Sequence, residues 1–125
     1  MDKFLLKSGA ILGALSVAIG AFGAHGLRNI VSESSMAIYE TAVKYQFYHV
    51  FAIILAGFLA KYFPYNTTKY AGYLFMAGIL LFSGSLYALA LNSNMKFLGA
   101  ITPFGGVCFI AGWVMLFLSF TKNPL

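Results

Sequence analysis

The side chains whose types and spacing suggest chemistry in this chain are gathered around its two histidines. His25 belongs to the segment Gly20-Ala21-Phe22-Gly23-Ala24-His25-Gly26, and His49 closes Tyr45-Gln46-Phe47-Tyr48-His49. Imidazole titrates near neutral pH and ligates metals through a neutral ring nitrogen. If His25 and His49 meet, with Tyr45, Gln46 and Tyr48 beside them, the cluster could hold a metal or relay protons. A pair of histidines is an incomplete metal site, and the single cysteine, Cys108, lies in an apolar run with no zinc-like spacing. The competing reading is a polar latch, in which these groups bond loop carbonyls and tie neighbouring helices together. The second reading is preferred, so no metal and no cofactor is expected.

Other chemistry finds little support. Asp2 is the only aspartate, which leaves no Ser-His-Asp set and no spaced carboxylate pair. The glycines lie in apolar runs and not in a phosphate-binding loop after a strand. No enzyme activity is expected and no catalytic residue is assigned. Glu40 stands four residues before Lys44, spacing that predicts a surface ion pair on a helix.

The elements that position these residues follow from composition. Of 125 residues, 61% are hydrophobic and 9% charged, against about 25% charged in soluble domains. Eight Lys/Arg, three Asp/Glu and two His cannot clothe a soluble fold of this length. The net charge of +5 comes from single basic residues at the edges of apolar runs, which suits lipid headgroups and excludes a nucleic-acid surface.

A membrane-spanning helix needs about 20 mostly apolar residues. Four segments qualify, at approximately 4–24, 45–63, 70–91 and 97–120. Together they predict one all-α integral membrane domain over 1–125, a bundle of four transmembrane helices. The first segment has a lysine-apolar-small pattern like a secretory signal, but its apolar stretch is long and glycine-patterned, so it is read as a span. The connection Arg28–Lys44, with Ser32 or Ser34 as helix cap, is expected to be a short interfacial helix or an extension of the second span. An even number of spans puts both termini on one side with Lys3, Lys7, Lys61, Lys69 and Lys122, leaving Arg28, Lys44 and Lys96 on the other. The positive-inside rule then places both termini in the cytoplasm and both histidines near the outer face. Tyr62, Tyr65, Tyr70 and Tyr73 read as an interfacial aromatic belt.

Helices in lipid associate through close backbone approach and interhelical polar contacts. Gly9, Gly13, Ser16, Gly20 and Gly23 recur at steps of four and three and form a bare stripe on the first span. Ala42, Gln46, His49, Ile53, Ala56 and Ala60 form the matching stripe on the second. The third span has Gly78, Ser85 and Ala88 on one face with Gly84 nearby, and the fourth has Thr102, Gly105 and Gly112; Gly84, Gly105 and Gly112 are assigned to packing as well. Thr102-Pro103 marks a possible helix break: either Pro103 kinks the fourth helix, or Thr102 caps it and Pro103 is its first residue.

Four motifs in order resemble a known family. They are Gly20-Ala21-Phe22-Gly23-Ala24-His25-Gly26-Leu27, then Glu40-Thr41-Ala42-Val43-Lys44-Tyr45-Gln46-Phe47-Tyr48-His49, then Ser83-Gly84-Ser85-Leu86-Tyr87. The last is Leu98-Gly99-Ala100-Ile101-Thr102-Pro103-Phe104-Gly105-Gly106, followed by Gly112-Trp113. The chain is similar over nearly its whole length to bacterial members of the family called domain of unknown function 423. The resemblance implies a four-span protein of the bacterial plasma (inner) membrane and no catalytic or binding residues to carry over.

The favoured reading is a structural or accessory membrane component with tight small-residue helix packing. Its expected partners are membrane lipids and, through small-residue faces, a second copy or other membrane proteins. The alternative is a small oligomeric transporter or channel, or a lipid or small-molecule binder, using an outer-face pocket near His25, Gln46 and His49.

Overall fold

The computed structural model describes residues 1–122. Helix α1 spans Lys3–Phe22 and runs on through a wider π-helical turn, Gly23–Leu27. Helix α2 spans Glu33–Leu59. Helix α3 covers Asn66–Gly78 and continues through a second π-helical turn, Ile79–Ser83, into α4, Gly84–Leu91. Helix α5 covers Leu98–Lys122. No strand occurs among the described residues. Four continuous rods, Lys3–Leu27, Glu33–Leu59, Asn66–Leu91 and Leu98–Lys122, are long and apolar enough to cross a membrane.

The connection before the second span is a helix extension and not a separate interfacial helix. Ser32 caps α2 by accepting from the Ser35 amide at 3.1 Å. From that cap the helix runs without interruption for 27 residues, about 40 Å at ~1.5 Å per residue, against roughly 30 Å of bilayer hydrocarbon. At the other end of the bundle Asp2 caps α1 through the Leu5 amide, and the Asp2 amide donates to the Gly57 carbonyl at 2.9 Å. The start of α1 is thereby fastened to the end of α2, and the two helices run antiparallel.

Every φ angle is negative among the described residues, so the glycines serve here by saving space and not by adopting left-handed backbone. A Cβ at Gly9 would come 2.6 Å from Ile54 Cγ1, and one at Gly13 would come 3.3 Å from Val50 Cγ1. At Gly20 it would meet Val43 at 3.5 Å, and at Gly23 it would collide with the Tyr39 ring. The bare stripe of α1 therefore lies along α2 from end to end, with Ser16 buried in its middle. Gly105 and Gly112 are also contact points: the first lies on the backbone of Phe82, the second against the Phe75 ring. Gly84 is not, since an added Cβ would meet only its own helix at 3.9 Å. Gly78 does that work instead, facing the Phe109 ring one and a half turns earlier.

Pro103 lies inside α5 and does not break it. Thr102 is not the cap: its hydroxyl bonds back to the Leu98 carbonyl at 3.2 Å. The hydrogen bond that Pro103 cannot donate would have ended on the Gly99 carbonyl. Gly99 is exposed near the helix start, where other donors can reach that oxygen.

Candidate functional site

Helix α2 is the most enclosed rod, with 44% of its most apolar stretch buried against 17% for the first span. Its buried face steps through Tyr39, Ala42, Gln46, His49, Ile53 and Ala56, the three-and-four spacing of one helical stripe. Each polar group on this stripe reaches a different neighbour. Tyr39 Oη donates to the Ile19 carbonyl of α1 at 2.6 Å. Gln46 Nε2 donates to the Leu12 carbonyl of α1 at 3.1 Å, while its Oε1 accepts from Tyr87 Oη of α4 at 2.5 Å. A carbonyl cannot donate, so the amide orientation of Gln46 is dictated by its partners. Ser83, in the second π turn, donates to the Ala42 carbonyl at 2.7 Å.

His49 lies one turn beyond Gln46. Its Nδ1 is 2.8 Å from the Tyr45 carbonyl, and its Nε2 is 3.2 Å from Trp113 Nε1 of α5. The carbonyl only accepts and the indole only donates, so the ring carries its proton on Nδ1 and offers Nε2 as acceptor. The imidazole also stacks on Phe109, centroids 3.6 Å apart and planes 8° from parallel. Both nitrogens are occupied by protein partners, which leaves no lone pair for a metal. Among the described residues no group of three or more His, Cys, Asp or Glu is placed to hold an ion.

The five residues expected to share one place do so only in part: Tyr45 lies beside Tyr48 and His49, with ring centroids 5.8 and 6.3 Å away, but no hydrogen bond or aromatic contact among the described residues joins His25 to them. Gln46 is the middle residue of α2 and His49 lies still farther from its start, so neither is at the end of the span where His25 lies. His25 is exposed in the π turn after α1, and its side chain makes no hydrogen bond with the described residues. Tyr48 is exposed on the surface. Tyr45 is partly exposed and packs its ring over Phe82 at 4.7 Å. Apolar-run boundaries misled here, because the run beginning at Tyr45 is only the second half of a helix that starts at Glu33. Glu40 likewise pairs with Arg28, at 3.0 Å, and not with Lys44. Arg28 is the residue that closes the π turn of α1.

Sequence reasoning passed over Tyr39, Tyr87, Ser83 and the Thr68–Ser119 pair. Tyr39 was reachable, since it extends the Ala42-Gln46-His49 stripe by one step. Ser83 and Tyr87 were not, because the π turn shifts the face that follows it. At the lysine-rich end Thr68 donates to Ser119 Oγ at 2.9 Å, and at the opposite end Ser85 and Thr102 hydroxyls lie 2.6 Å apart. Among the described residues every buried side-chain nitrogen and oxygen has a protein partner. The hollows described, large and small, are open surface grooves. One, of about 190 Å³, lies between α1 and α2 and includes Gly20, Tyr39, Val43 and Arg28 in its walls. His25, Gln46 and His49 line none of the grooves described.

Relatives named as membrane proteins match nearly the whole chain. A UPF0382 membrane protein of Staphylococcus haemolyticus is 46% identical over 120 residues, 96% of this chain and 97% of the relative. UPF0382 membrane protein YwdK of Bacillus subtilis is 42% identical over 121 residues, 96% of this chain and 98% of the relative. No solved structure matches. The family described as protein of unknown function (DUF423) matches residues 19–106, which hold the π turn after α1, all of α2 and the Gly105 contact. With four membrane-length helices and full-length relatives named as membrane proteins, the chain is a multi-pass membrane protein belonging to the DUF423 family.

Proposed function

We propose that this protein is a structural or accessory component of the bacterial plasma membrane, acting through its surface and not through an interior site or pathway. The observation that carries this reading is the satisfied interior: among the described residues no buried polar side-chain atom lacks a partner. A binding site or conduction route needs polar groups open to a ligand, whereas Tyr39, Gln46 and His49 are engaged with neighbouring helices and Gln46 and His49 line none of the grooves described. The interior polar residues instead bond carbonyls and one another, which suits a rigid scaffold. The reading is non-enzymatic, and it puts both termini in the cytoplasm, because five lysines face one aspartate at that end.

The test is flux. Purified protein in liposomes is expected to pass potassium, protons and small neutral solutes no faster than empty liposomes. A flux above that background, abolished by Gln46→Leu, would overturn the proposal. Divalent zinc or nickel is expected to leave the melting temperature of wild type and of His49→Phe unshifted relative to each untreated protein. Orientation is read from reporters fused at residue 122: a fluorescent protein should glow and alkaline phosphatase should stay inactive. The reverse result would invert the topology.

A further inference from the structure

The two ends of the bundle differ in charge. Lys3, Lys7, Lys61, Lys69 and Lys122 gather at one end, where Asp2 is the only acidic side chain among the described residues, whereas Arg28, Lys44 and Lys96 in the opposite half are offset by Glu33 and Glu40. At the lysine-rich end an open cleft of about 510 Å³ lies between the start of α1 and the α2–α3 turn. Its walls include Asp2, Lys3, Pro64, Tyr65, Asn66 and Lys69. The Asp2 carboxylate is engaged in capping α1 through the Leu5 amide. Among the described residues neither Lys3 nor Lys69 has an ion-pair partner, the one salt bridge being Arg28–Glu40. Lys69 and Lys122 are held over the rings of Tyr73 and Tyr65 at 5.8 and 5.5 Å, which keeps both ammonium groups at the tyrosine belt.

We infer that this cleft is a binding site for the headgroup of an anionic phospholipid of the same leaflet, with Lys3 and Lys69 facing the phosphate. Two ammonium groups at one cleft repel each other until an anion lies between them, and at headgroup depth the abundant anion is lipid phosphate. The Asn66 amide and Tyr65 hydroxyl offer donors to the glycerol or phosphate oxygens. An anionic headgroup fits better than a zwitterionic one, because among the described residues Asp2 is the one carboxylate at the cleft to receive an ammonium, and it is already bonded. The grooves elsewhere lack this set: the one between α1 and α2 places Glu40 beside its two cations.

Native mass spectrometry of the whole protein, titrated with phosphatidylglycerol or phosphatidylcholine of matched chains, tests the site. Wild type should bind phosphatidylglycerol preferentially. The double variant Lys3→Gln/Lys69→Gln should lose about thirtyfold of that affinity, roughly fivefold per cation at an anionic surface. Arg28→Gln/Lys44→Gln should leave it unchanged. Both lysines are exposed, so the melting temperature should hold and confirm the fold. Equal binding of the two lipids, or an unaltered Lys3/Lys69 double variant, would overturn the inference. So would full competition by soluble glycerol phosphate, since the ligand would then not be a membrane lipid. The outcome is separate from the flux test above: a leaking protein could still hold the lipid, and a tight one could fail to.

Discussion

The α1–α2 seam and the α3–α5 seam solve the same packing problem in opposite ways. On α1 the side chains are removed along Gly9, Gly13, Gly20 and Gly23, and α2 lays Val43, Val50, Ile53, Ile54 and Tyr39 along that bare stripe; α2 answers with a glycine of its own at one end, where Gly57 meets Leu5 and Leu6, so the seam is nearly one-sided. Between α3 and α5 bulk and absence alternate on both partners: Gly78 receives Phe109, Gly112 receives Phe75, and Gly105 lies on the Phe82 backbone. The nearly one-sided seam is open enough for polar side chains to reach backbone, and Tyr39 and Gln46 bond the Ile19 and Leu12 carbonyls there. The reciprocal seam is filled by rings, and its hydrogen bonds are confined to its ends, at Thr68–Ser119 and Ser85–Thr102. In lipid, where apolar burial gives helices little reason to associate, a seam can be held by bonds or by fit.

The largest effect should come from Gly105→Ala. Its methyl would land on the Phe82 backbone, which cannot rotate aside as a side chain can. Overpacking of this kind costs roughly 1–3 kcal/mol or more, and a melting temperature several degrees lower, or failure to insert, is expected. If Gly105→Ala melts with wild type, the reciprocal seam is looser than described. Gln46→Leu comes next. It strands the Tyr87 hydroxyl, whose acceptor it removes, and frees one latch on α1. A loss of about 1–2 kcal/mol is expected in a reversible unfolding assay, with Tyr87→Phe costing less because it leaves Gln46 one partner.

Smaller differences sharpen the comparison between glycines. Gly13→Ala places its methyl 3.3 Å from a single Val50 methyl, which can shift by the small distance needed. It should cost well under Gly105→Ala. Gly84→Ala, with no neighbour beyond its own helix, should be neutral or slightly stabilising. A larger loss for Gly84→Ala than for Gly13→Ala, measured side by side, would show that the third span packs by its Gly84 face after all. The smallest effect belongs to Arg28→Ala. Its pair with Glu40 is about half exposed on both sides, and exposed pairs contribute ~0–1 kcal/mol.

Much of the architecture was legible from residue order because lipid imposes a simple rule. Runs long enough to cross must be helices, and the bare stripe Gly9-Gly13-Ser16-Gly20-Gly23 must meet something. The stripe holding Gln46 and His49 also pointed inward by spacing alone. What misled was position along the helix. Apolar-run boundaries placed α2 from Tyr45, so a mid-helix pair looked terminal and His25 looked like its neighbour. Gly84 looked like a packing residue because a π turn changes which face follows it, and no side-chain pattern announces such a turn.

The sequence by itself determined that this chain lives in lipid as four helices, because composition and run length leave no other way to satisfy its backbone. It also determined which helix faces are narrow enough to touch. Only the tertiary structure decided what each polar group bonds. Hydrogen-bond partners depend on rotation and axial register between helices, and these are set by contacts between residues far apart in the chain. Trp113 of α5 meets His49 of α2, and Tyr87 of α4 meets Gln46, across separations of 64 and 41 residues. Those pairings turn two rare polar residues from a candidate site into the fastening of the bundle.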